Sequence, residues 1–184
     1  MRPFGRDRAF KRLVRDQRGV SAVEFALIAP VMIFFYFGLA EFCQGYMAQK
    51  RMGHAAAMVG DLVSQSTSDI TAEQVDDMFA IGNLILKPFP ATSLNLRVTS
   101  VTRQVDDTVK VDWSKGRGLS ALAKGAVVTI PADLIEDGES IVISESNYTY
   151  DSAAKYLVPN GITFNQKHYL RPRAVQKVSC ADCS

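Results

Sequence analysis

The sequence predicts an α+β chain: a long N-terminal helix packed with a small antiparallel sheet of about four strands and a second helix. Three observations predict it. From Phe25 to Ala40 sixteen residues pass without a charge, and no proline interrupts the chain between Pro30 and residue 66. Thr71-Ala-Glu-Gln74 then opens an apolar run in the pattern of a capping box. Beyond Pro88 and Pro90 the apolar period falls to two, the repeat of half-buried strands.

The 184 residues suit one domain plus accessories. With 47% apolar and 22% charged residues, the chain is not of the disordered class. A formal net charge of +2 gives no case for nucleic-acid binding by bulk charge. That average hides an uneven distribution. Residues 1–18 hold seven basic residues against Asp7 and Asp16, a segment of +5 that leaves the remaining chain at −3.

The apolar stretch follows at once. With Val20–Val23 it reaches about twenty residues, enough at ~1.5 Å rise to cross a bilayer core of ~30 Å. Basic residues before it and an acidic balance after it predict a cytoplasmic N-terminus and an external remainder. Glu24 is the one charge inside, and a carboxylate there costs about 2.5–3.5 kcal/mol even on lenient scales. One reading puts Glu24 at the headgroup edge, six residues past Arg18. The other starts from cleavage of the Gly19–Val20 bond. Val20 then carries a positive α-amine, one helical turn from Glu24 and on the same face. The carboxylate pairs with its own terminus or a neighbour's.

The run Arg15-Asp-Gln-Arg18-Gly19-Val20-Ser-Ala-Val-Glu24-Phe25-Ala-Leu-Ile-Ala-Pro30 resembles the N-terminal signature of TadE-like pseudopilins of the tight-adherence (Tad, type IVc) pilus. The shared elements are a basic leader, Gly before the cut, Glu at the fifth mature position, Phe at the sixth and a proline within the helix. The resemblance implies a processing motif of Arg18, Gly19, Val20, Glu24 and Phe25, cut after Gly19 by a prepilin peptidase. It implies a pilin-like fold and a role in assembling adhesive pili. The implied partners are that peptidase, other pilins and pseudopilins, the inner-membrane Tad assembly proteins and membrane lipid. A residue without Cβ suits entry to a tight protease cleft. A secretory signal peptide ending in Gly38-Leu39-Ala40 competes, against Glu24 and the bulky Phe34-Phe35-Tyr36-Phe37 run. A second alternative is an uncleaved single-pass anchor on a periplasmic binding or structural protein.

The expected division is a leader at 1–19, a membrane helix at 20–41, its soluble continuation at 42–66, and a periplasmic α+β domain with an extended C-terminal tail at 67–184. One helix over 20–66 would be roughly 70 Å long. Phe42, Tyr46, Met58, Val59, Leu62 and Val63 supply a partial apolar stripe on the soluble half. Gly38, Gly45, Gly53 and Gly60 recur at spacings of seven, eight and seven, near one helix face. They read either as a groove for neighbouring subunits or as chance. Pro30 removes one backbone hydrogen bond and predicts a kink or loosened turn.

The second helix is expected at roughly 72–86. Strands are expected over Leu94–Thr99, Val109–Trp113, Ala126–Ile130 and Ile141–Tyr150, the last of them central, with turns at Asp106-Asp107 and Asp137-Gly138. Val109, Val111 and Trp113 alternate with Lys110 and Asp112, as on one face of a strand. Ser114–Gly118 reads as a loop and 119–124 as one helical turn. Thr163–Val178 reads as the extended tail, with Arg171 and Arg173 either solvated or paired with acidic groups.

No catalytic set stands out: there is no HExxH, no GxSxG and no GxGxxG entry to a helix. The expectation is a protein that is not an enzyme and takes no cofactor and no metal. Cys180-Ala-Asp-Cys183 is the reactive pair. A small-ring disulfide, a mixed disulfide with a partner, a redox motif and a zinc site short of ligands are its readings. Cys43 is expected to be free.

Overall fold

The structure is a computed structural model and describes residues 19–67, 69–131, 133–152 and 160–183. Arg18 and the rest of the basic leader lie outside the described residues. The chain divides into two compact units, one ending at Phe42 and the other beginning at Cys43.

One helix, α1 (Val20–Ser64), runs through Pro30 without a break and ends two residues before the expected boundary. In the first unit its side chains are exposed on all sides: Phe25, Leu27, Phe34, Phe35 and Tyr36 are each 65% exposed or more. A helix that is apolar all round and covered by nothing is suited to lipid. By length and composition it can cross a membrane.

In the second unit α1 becomes one-sided. Gly45, Ala48, Met52, Ala55, Ala56, Val59, Gly60 and Val63 are buried, at the three- and four-residue spacings of one helix face. The expected stripe was rotated from this face. Val59 and Val63 are on it, but Phe42 and Tyr46 are 69% and 50% exposed. The buried face is made mostly of small residues because it lies close against a sheet.

The second helix, α2 (Ala72–Ile85), starts at Thr71, whose hydroxyl accepts from Gln74 N–H at 3.3 Å while Gln74 Oε1 accepts from Thr71 N–H at 2.9 Å. Both orphan-amide contacts of a capping box are present. Val75, Phe79 and Gly82 form its buried side.

The sheet has four antiparallel strands: β1 (Leu94–Arg103), β2 (Val109–Arg117), β3 (Ser140–Tyr150) and β4 (Ile162–Leu170). Their order is β2-β1-β3-β4, so β3 is central. Two strand assignments differ from expectation. Ala126–Ile130 makes only an isolated bridge, Lys110 to Val127. Its apolar residues Ala126, Val128 and Ile130 instead cover the outer sheet face. The fourth strand comes from the expected tail, and Ile162–Leu170 pairs with β3 along its whole length. The predicted loop at Ser114–Gly118 is a continuation of β2 as far as Arg117, and 119–124 contains no helix.

Strand β2 departs from simple alternation. Ser100 pairs with Trp113 and Val101 with Val111, which leaves Asp112 as the extra residue of a bulge. A bulge shifts the parity of all that follows. Trp113 therefore enters the core beneath the helices, while Val109 and Val111 join the opposite face with Val101, Ile141 and Ile143. Asp112 is drawn inward and accepts from Thr102 Oγ1 at 2.6 Å and from Lys177.

Candidate functional site

Two regions carry the candidate residues: the start of α1 and the seam between α1 and the sheet. Gly19 and Val20 are exposed where the helix begins, and a Cβ on Gly19 would meet nothing within 4 Å. Glu24 and Phe25 follow one turn on and are exposed too. Val20 and Glu24 are both helical, four residues apart, so they share a face. Among the described residues no side chain pairs with Glu24. Its carboxylate stands on the exposed apolar surface of the helix.

The glycine stripe has a use within the chain. A Cβ on Gly45 would lie 3.7 Å from the Tyr150 ring, and one on Gly53 would lie 3.7 Å from Gln166 Cγ. At Gly60 it would lie 2.5 Å from Leu170 Cδ1 and 2.9 Å from Ser144 Cβ. At Gly45 and Gly53 those are ordinary contact distances, so it is Gly60 that lets α1 approach β3 and β4, and Ser144 Oγ donates to Ala56 O at 2.7 Å across the seam. At these three positions the stripe, which read either as a groove or as chance, faces the chain's own sheet. Gly38 differs, with nothing within 4 Å of a Cβ there.

The C-terminal residues form a strap. Arg173 N–H donates to Ser64 O at 2.9 Å and its guanidinium meets Asp61 at 2.6 Å. Arg171 donates to Leu134 O at 2.7 Å. Cys180 and Cys183 are bonded as a disulfide, with Cα atoms 5.5 Å apart, and both are buried. Cys43 is free and exposed.

Polar ladders cross the outer face of the sheet. Asn147 Nδ2 donates to Asn165 Oδ1 and Asn95 Nδ2 to Asn147 Oδ1, at 2.7 and 3.2 Å. Asn147 is thus held inside the strand by its neighbours. Beside it Glu145 accepts from Arg97 Nε at 2.7 Å and meets Lys167 Nζ at 2.9 Å. Burial opposes the Glu145 charge, but the hydrogen bonds and charges of Lys167 and Arg97 outweigh it and hold the carboxyl below its ordinary 4.5. A depressed carboxylate stabilises the fold above its unfolded pKa, and that contribution is lost as pH falls through the folded value. Glu145→Gln should therefore flatten the stability profile below about pH 4.5, as read by urea midpoints across the acid range. An unchanged acid limb would remove Glu145 from that account.

The described chain thus has the form of a membrane-anchored protein: one N-terminal apolar helix carrying an α+β unit. Residues 19–61 match the family described as TadE-like protein. The matched stretch contains Gly19, Val20, Glu24 and Phe25 and ends on the glycine-lined face; residues 62–184 lie beyond it. No curated protein and no solved structure matches the chain.

Proposed function

We propose that the chain is a pseudopilin, or minor pilin, of a Tad (type IVc) pilus system. A prepilin peptidase cleaves it after Gly19, and the mature chain begins at Val20. Its N-terminus faces the cytoplasm, α1 holds it in the inner membrane, and the α+β unit lies in the periplasm. It works in the assembly of adhesive pili through other pilins and the assembly platform, and not by catalysis. The observation that carries this reading is Gly19-Val20 with Glu24-Phe25 at the opening of an exposed apolar helix, within the TadE-like segment.

The chemistry is consistent with that role. A carboxylate exposed in lipid favours any neighbour that brings a positive charge. The α-amine released by cleavage at Val20 is such a charge. Cleavage thus makes the group that neutralises Glu24, in the same chain or in the next subunit. Gly19→Leu tests the first step. The variant should accumulate as the longer precursor on gels of membrane fractions, with the mature band lost. Unchanged processing would leave the uncleaved or differently cleaved anchor as the better reading.

A further inference from the structure

The disulfide hairpin lies far in sequence from everything it touches. Asp182 sits inside the four-residue ring closed by Cys180 and Cys183. Its Oδ1 accepts from the Ala72 N–H at 2.9 Å across 110 residues. That amide is the first of α2, one of those a helix leaves unpaired at its start. Thr71 caps Gln74 from within, and Asp182 supplies what the capping box does not reach. Just before the ring, Ser179 O accepts from Ile70 N–H at 2.9 Å and Val178 O accepts from Trp113 Nε1 at 2.8 Å. One short segment therefore joins the start of α2 to strand β2.

We propose that the Cys180–Cys183 disulfide is a redox-governed latch for this strap. Oxidised, the ring fixes the backbone of Ala181 and Asp182, so the carboxylate is delivered to α2 already oriented. Reduced, those residues regain their conformational freedom, and one hydrogen bond does not repay the cost of ordering them. The strap then leaves Ile70 and Trp113 together, because consecutive residues hold both. The reductant is a dithiol. Its thiolate attacks one sulfur to give a mixed disulfide, and its second thiol displaces the protein sulfur. The donor leaves as a disulfide, and Cys180 and Cys183 each gain a hydrogen. The latch closes where disulfides form and stays open in a reducing compartment.

Trp113 is the only tryptophan of the chain and is 2% exposed, so its emission reports the strap directly. The full chain in detergent is compared before and after dithiothreitol, with a chelator present. The chelator matters because the two sulfurs and the Asp182 carboxylate lie within 4.8 Å of one another, close enough for a metal to replace the bond. A thiol count rising above that of Cys43 alone certifies reduction. Reduction should shift Trp113 emission to the red and speed exchange of the Ala72 amide by roughly fivefold or more. Asp182→Ala, with the disulfide intact, should speed Ala72 exchange and leave the emission unchanged. If dithiothreitol does not reach the bond, Cys180→Ser with Cys183→Ser is read in the same way. Verified loss of the disulfide with unchanged emission and unchanged Ala72 exchange would overturn the latch.

Discussion

Gly60→Val should destabilise the globular unit by about 1–3 kcal/mol, the cost of overpacking a close-packed seam. The added Cβ alone would stand 2.5 Å from Leu170 Cδ1 and 2.9 Å from Ser144 Cβ. Leu170 is the end of β4 and can swing; Ser144 is on central β3 and is tied to Ala56 O, so it cannot. The helix must therefore lift, and the small-residue face from Gly45 to Val63 loses its fit. Thermal melts of the detergent-solubilised chain would measure this. Gly38→Val is the contrast. A Cβ there meets nothing within 4 Å, so the same substitution should leave the melt unchanged. Equal effects at the two positions would contradict the assignment of Gly60 to an internal seam.

The second large effect is expected at Glu24. Glu24→Gln removes a charge that costs about 2.5–3.5 kcal/mol within a bilayer, so membrane retention should not fall. Processing should also persist, because Gly19 and Val20 are untouched. Assembly should suffer. If the carboxylate meets the Val20 α-amine of a neighbour, its loss removes a desolvated ion pair. Recovery of the chain with other pilins should fall by at least about tenfold, the equivalent of ~1.4 kcal/mol. Co-purification after mild solubilisation would read it. Unchanged co-purification would assign Glu24 to the headgroup edge, where its charge is solvated and needs no partner.

The parts legible in the sequence are those set by local chemistry. Thr71 and Gln74 are three residues apart, so the start of α2 could be read without knowing the fold. The length of α1 followed from an uninterrupted apolar and helix-favouring run. Long-range partners left weaker marks. Strand β4 reads ITFNQKHYL, polar at most positions, because it lies on the sheet edge and neither face is fully buried. Ala126–Ile130 looks more like a strand than β4 does, yet its apolar residues serve as a cover over Ile141 and Ile143. The bulge at Asp112 is silent in a pattern of alternation, because Val111 and Trp113 are both apolar whichever face they take. The glycine spacing was visible, but spacing does not say what fills a groove. At Gly53 and Gly60 the filling is Gln166, Leu170 and Ser144 of the same chain.

The candidate site divides in the same way. Gly19, Val20, Glu24 and Phe25 are contiguous and readable as a motif. The strap was not readable, since the link from Asp182 to Ala72 depends on the whole sheet bringing the two ends together. A Cys-x-x-Cys near the end of a chain states its chemistry but not its neighbour.

In the proposed function the working molecule begins at Val20. N-terminal determination of the protein extracted from its native membrane tests this most directly. Val20 should be the first residue, with the +5 leader gone. A chain beginning at Met1, or at Glu41 after signal-peptide cleavage, would contradict it.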